Sequence, residues 1–137
     1  MKHIITISFI MILVLFGCSK DNPVDPVPAH VGTYKGTIDI GDSLSISVSN
    51  VGGVAYVTTY SLSYHYNTGG SSGSGTYEAS NTEGIVQVTS SSFEISLSSD
   101  PEEKIIGTFS SDTELSGTYK IIPVADYMSG SFSAAKN

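Results

Sequence analysis

Past residue 30, polar and apolar residues alternate almost one for one. In "DSLSISVSN" Leu44, Ile46 and Val48 take one side, and Ser43, Ser45, Ser47 and Ser49 take the other. "SSFEISLSS" repeats the pattern with Phe93, Ile95 and Leu97. A period of two is that of a strand with one face in a core and one in water. The alternation predicts nine strands, over 32–40, 43–49, 53–66, 74–80, 85–89, 92–98, 104–110, 114–122 and 128–136. Between them lie turn-forming stretches such as "NVGG" (50–53), "NTEG" (81–84) and "SDPEE" (99–103). After Gly70, "GGSSGSG" reads as a loop or as a frayed edge strand. These connections are too short for parallel crossovers, so successive strands pair as antiparallel hairpins. The expected class is all-β, an up-and-down meander of eight to nine strands. Closure into a barrel would remove two long edges, with "VGTYKGTI" and "SGSFSAAK" pairing as first and last strands. The alternative is a two-sheet β-sandwich.

Two further patterns lie on these strands. "GTY" begins at Gly32, Gly75 and Gly117, "GTF" at Gly107 and "GSF" at Gly130. Each places an aromatic on the face of a glycine, which suits a strand that coils sharply or meets a neighbour closely, with a ring covering the gap. The second pattern is "VAYVTTYSLSYHY". At period two, Val54, Tyr56, Thr58, Tyr60, Leu62, Tyr64 and Tyr66 share a face opposite Ala55, Val57, Thr59 and His65. Such a stripe is either core with hydroxyls at the rim, or the wall of a ligand site formed by Tyr56, Tyr60, Tyr64 and Tyr66.

The beginning of the chain departs from this alternation. Lys2 and His3 precede an apolar run, Ile4 to Phe16, of about 20 Å if helical, too short for a hydrocarbon core of roughly 30 Å. It has the form of an export signal. Leu15-Phe16-Gly17-Cys18 resembles the lipobox of bacterial lipoproteins. That resemblance implies cleavage before Cys18, the single cysteine, and lipid on its sulfur and new amino terminus. Several acyl chains together anchor durably where one holds only marginally. Ser19-Lys20-Asp21-Asn22 resembles the Lys-then-acidic signature of Bacteroidetes lipoproteins, which implies the outer membrane and its outer face. "NPVDPVP" then reads as a stiff, extended spacer. The expected organisation is a signal peptide over 1–17, a lipidated tether over 18–30 and one β-domain over 31–137. Tyr34 stands where lipocalins carry a first-strand tryptophan. With the Gly-x-aromatic start, the short loops and the lipobox, the chain resembles small lipocalin-like, or calycin-like, bacterial lipoproteins. That resemblance implies a barrel around a small ligand.

Charge narrows the partners. The net charge of −7 becomes −8 once Lys2 leaves with the leader, and the chain has no arginine. Nucleic acid, which needs clustered cations, is not an expected partner. Catalysis has little to build on: after cleavage only His30 and His65 remain, and there is no Gly-x-Ser-x-Gly elbow. Glu78 and Glu94 form no convincing acid pair, since alternation turns Glu94 outward. The acids at Asp100, Glu102 and Glu103, at Asp112 and Glu114, and at Asp39 and Asp42 lack a calcium-loop spacing and read as solvated turns. No enzyme, metal or cofactor is therefore expected. Two functions fit: a membrane-anchored barrel binding a small apolar or glycan ligand, or a structural or protein-interaction envelope lipoprotein with a filled barrel and no small ligand.

Overall fold

The computed structural model describes residues 28–38, 42–68, 70–124 and 126–137. The expected signal peptide, Cys18 and most of the expected tether lie outside these residues, as does the expected strand end at 39–40. The rest forms β1 (Gly32–Ile38), β2 (Ser43–Val51), β3 (Val54–Thr68), β4 (Ser71–Ser80), β5 (Val86–Gln87), β6 (Ser92–Ser96), β7 (Lys104–Phe109), β8 (Glu114–Ile121) and β9 (Met128–Lys136). All nine expected strands are present. Together they make one antiparallel sheet, strongly curled, in the order β4-β3-β2-β1-β9-β8-β7-β6, with β5 also on β3. The described strands form one curled sheet and not two separate ones. The anticipated pairing of first and last strands is there, from Tyr34 opposite Lys136 to Ile38 opposite Phe132.

The stretch after Gly70 is the edge strand β4, not a loop. β4 pairs with Thr59–Thr68 of β3, and β5 pairs with Tyr56 and Val57 on that same side. The two therefore lie in succession along one edge of β3, interrupted by residues 81–85. Gly52 and Gly53, both at positive φ, make the two-residue turn from β2 into β3. Ser90 and Ser91 make another, with Thr89 and Ser92 exchanging both backbone hydrogen bonds at 2.9 and 3.0 Å.

The inward set follows the period of two: Leu44, Ile46, Val48; Phe93, Ile95; Ile105, Phe109; Leu115, Tyr119, Ile121, all in one continuous core. The glycine–aromatic echo has a cross-strand meaning. Gly117 faces Phe132 and Tyr119 faces Gly130, so the motifs of β8 and β9 interlock, each ring opposite the other's glycine. A Cβ at Gly117 would stand 2.6 Å from the Phe132 ring. The ring that covers a glycine thus comes from the neighbouring strand, because directly opposed residues approach more closely than residues i and i+2 of one strand.

Alternation breaks at one place. Between Ser47–Thr59 and Val48–Val57 the register of β2 on β3 slips by one residue, leaving Thr58 as the extra residue of a bulge. Thr58 is buried and its hydroxyl is shared with Ser49 at 3.0 Å. Ahead of the bulge Ala55 and Val57 point inward; beyond it Tyr60, Leu62 and Tyr64 do.

Candidate functional site

The strands run alternately between two ends. At one, the chain enters through His30, whose ring lies flat on Phe109 with centroids 4.4 Å apart. His30 and the Ser91 hydroxyl share a hydrogen bond of 3.1 Å. The Tyr34 hydroxyl, deep in the core, donates to the carbonyls of His30 and Asp112 at 3.0 and 2.9 Å. The Asp112 carboxylate is 3.2 Å from Nδ1 of His30 but out of line for a hydrogen bond. At this end His30, Tyr34 and Phe109 pack together.

The other end gathers the chemistry. It comprises the start of β2, the β3–β4 ribbon beyond Leu62, and residues 97–103 and 122–124. Asp42 is buried, and its carboxylate accepts both the backbone N–H and a ring nitrogen of His65, whose side chain is otherwise 76% exposed. Glu103 is buried too. One of its oxygens accepts the Tyr77 hydroxyl at 2.6 Å and the Ile122 amide at 2.7 Å. Burial works to raise the Glu103 pKa, yet hydrogen bonds from Ser98, Tyr77 and Ile122 outweigh it and hold the group below the usual carboxylate range. Tyr77 moves the other way: burial, and then the bond to an ionised Glu103, push its phenol well above the ordinary tyrosine value. Tyr64 stacks on Tyr77 at 5.6 Å, and burial first, then Tyr66 and Glu103, raise its pKa as well. Tyr77 thus keeps its proton and donates a hydrogen bond to Glu103.

Of the expected ligand-site residues, Tyr60 and Tyr64 are core, 6% and 8% exposed. Tyr66 is half-buried and lies opposite Gly73, as Tyr64 lies opposite Gly75. Each ring closes the space its glycine leaves. Tyr56 does not share their face. The bulge at Thr58 shifts its phase, and it packs instead over Gly84, where a Cβ would come within 2.5 Å of the ring. The stripe of four is therefore a stripe of three, which Tyr77 joins from β4. Glu94 is exposed as expected and sits 3.4 Å from Lys104. The acids of 100–103 diverge, Glu102 toward Lys120 and Glu103 inward. Among the described residues no three acids, histidines or cysteines cluster as metal ligands.

Asp42 and Glu103, expected as solvated turn acids, are instead buried, and Tyr77 was not among the expected site residues. A signal was present. Asp42 is two residues before Leu44, and Glu103 two before Ile105, so the core period extended by one step reaches both buried acids. Clefts of about 480 and 360 Å³ lie on the outer face, the first along Lys35, Thr37, Ser116 and Ser133, the second along Lys104, Ile106, Thr118 and Lys120. No protein-family model, curated protein or solved structure matches the chain.

Proposed function

We propose that the chain is an envelope lipoprotein, held at the outer membrane by lipid on Cys18, whose β-domain is an interaction module and not a container. The observation that carries this reading is the burial of the inward tyrosines. The rings of Tyr34, Tyr60, Tyr64 and Tyr119, each under a tenth exposed, pack into one cluster with the strand aliphatics. In a barrel of eight strands, side chains of this size are enough to occupy the axis. We read the domain as such a barrel, with β4 and β5 counted as one interrupted strand and the Thr89–Ser92 pair closing β5 onto β6. This agrees with the lipocalin-like resemblance in topology while departing from it in purpose. Chemistry at the domain is not catalytic on this reading, and no cofactor is required.

In this arrangement the end at His30 faces the membrane and the Tyr64, Tyr66, Tyr77 end faces away. That orientation favours a second reading, in which the half-buried Tyr66 and its neighbours take a glycan or small apolar molecule at the outer rim. Native mass spectrometry of the full chain, with envelope lipids and glycans added, separates the two. A filled interior predicts the unliganded mass alone and unchanged tyrosine fluorescence. A stoichiometric adduct that quenches Tyr60 or Tyr64 would overturn it.

A further inference from the structure

β4 is the outermost strand of the sheet path, and among the described residues no strand pairs with its far side. The Asn81 amide bonds the Thr58 carbonyl at 2.8 Å, which sets the phase of the ladder. Odd-numbered residues of β4 thus exchange hydrogen bonds with β3, while Ser72, Ser74, Thr76, Glu78 and Ser80 turn their N–H and C=O groups away from it. Natural edges are usually blunted by lysine, proline, a bulge or brevity. β4 has none of these. It runs ten residues, pairs with ten consecutive residues of β3 without a register break, and contains neither lysine nor proline. Its exposed side chains at Ser72, Ser74 and Thr76 are short, so another backbone can approach to the ~4.8 Å of a paired strand. The only charge on β4 is Glu78, Glu83 follows in the next turn, and the whole chain is acidic.

We propose that the outer edge of β4, from Ser72 to Ser80, is a strand-addition site for an extended, lysine-bearing segment of a protein partner. Main-chain hydrogen bonds would supply affinity, and Glu78 would select the cationic segment. A second copy of this chain fits less well, since two acidic molecules repel. The proposal rests on the interaction reading above and names its partner class.

The probe is a synthetic ten-residue peptide alternating threonine and valine with a lysine near each end, alongside its glutamate counterpart. With the full chain in detergent, the lysine peptide should slow amide exchange of residues 72, 74, 76 and 78 by roughly tenfold or more and bind at least about tenfold more tightly than the glutamate peptide. Thr76→Pro removes an outward N–H and leaves the β3 ladder intact, so binding should vanish while the spectrum elsewhere is unchanged. Should that variant unfold, Glu78→Lys decides instead, by reversing the preference between the peptides. Equal binding by Thr76→Pro and the parent, protection confined to other strands, or slow exchange of these amides without peptide would each overturn the edge site. Such a failure with no small-molecule adduct leaves the interaction reading standing on another face; an interior adduct overturns that reading whatever β4 does.

Discussion

Removing a carboxylate from water costs several kcal/mol unless hydrogen bonds replace its hydration. Glu103 recovers that cost through Tyr77, Ser98 and the Ile122 amide, and in doing so ties β4 to the β6–β7 and β8–β9 connections. Tyr77→Phe keeps the ring on Tyr64 but strands one lone pair, and should cost about 1–3 kcal/mol in urea denaturation. The pH dependence has a definite sign. Because folding lowers the Glu103 pKa, its stabilising contribution is complete above the ordinary carboxylate range and is lost as pH falls through the folded value. Stability measured from neutral pH into acid should therefore decline. Glu103→Gln should be less stable at neutral pH and flatter across the acid range. An acid slope unchanged by that substitution would remove Glu103 from the account. The Lys120–Glu102 and Lys104–Glu94 pairs, on the exposed surface, should add little by comparison.

Among elements, hairpins and close strand contacts carry the local strain. Ser90 and Ser91 hold φ of 50° and 64°, a left-handed conformation in which a side chain meets its own carbonyl. Type I′ turns favour Asn-Gly there, so Ser90→Asn with Ser91→Gly should stabilise the domain by about 1 kcal/mol or more, read as a rise in denaturation midpoint at constant slope. The opposite effect belongs to Gly36 on β1. A Cβ there would stand 1.9 Å from the Ser133 carbonyl oxygen of β9, and backbone cannot rotate aside. Gly36→Ala should loosen the β1–β9 pairing and destabilise by about 1–3 kcal/mol. The bulge at Thr58 acts over a longer range. It lets β3 present Ala55 and Val57 to the core at one end and Tyr60, Leu62 and Tyr64 at the other, and it coincides with the break between β4 and β5.

For the molecule as a whole, the core is one cluster that runs from Phe109 and Tyr34 at the His30 end to Tyr64 and Ile121 at the other. Leu62 is fully buried within it. Leu62→Ala should cost about 2–5 kcal/mol and leave an apolar void. Such voids stay dry and admit benzene-sized molecules. Benzene should accordingly raise the denaturation midpoint of the variant and not that of the parent. A parent that responds equally already holds an interior cavity, which would favour the container reading.

Strand number, strand positions, antiparallel order and the inward set outside the first half of β3 were legible from alternation, because a half-buried strand writes its two faces into successive residues. The pairing of β1 with β9 was legible too, since a meander this long leaves its ends to find each other. Three things were decided only in the folded molecule. A bulge adds one residue to a ladder without any residue type that marks it, so the phase of Tyr56 depends on how β2 seats against β3. The partners of Asp42 and Glu103 come from other strands, so alternation points at two buried acids without naming what neutralises them. Whether tyrosines surround a space or fill it depends on the distances between strands far apart in sequence, and there the rings of Tyr60 and Tyr64 meet the rest of the core.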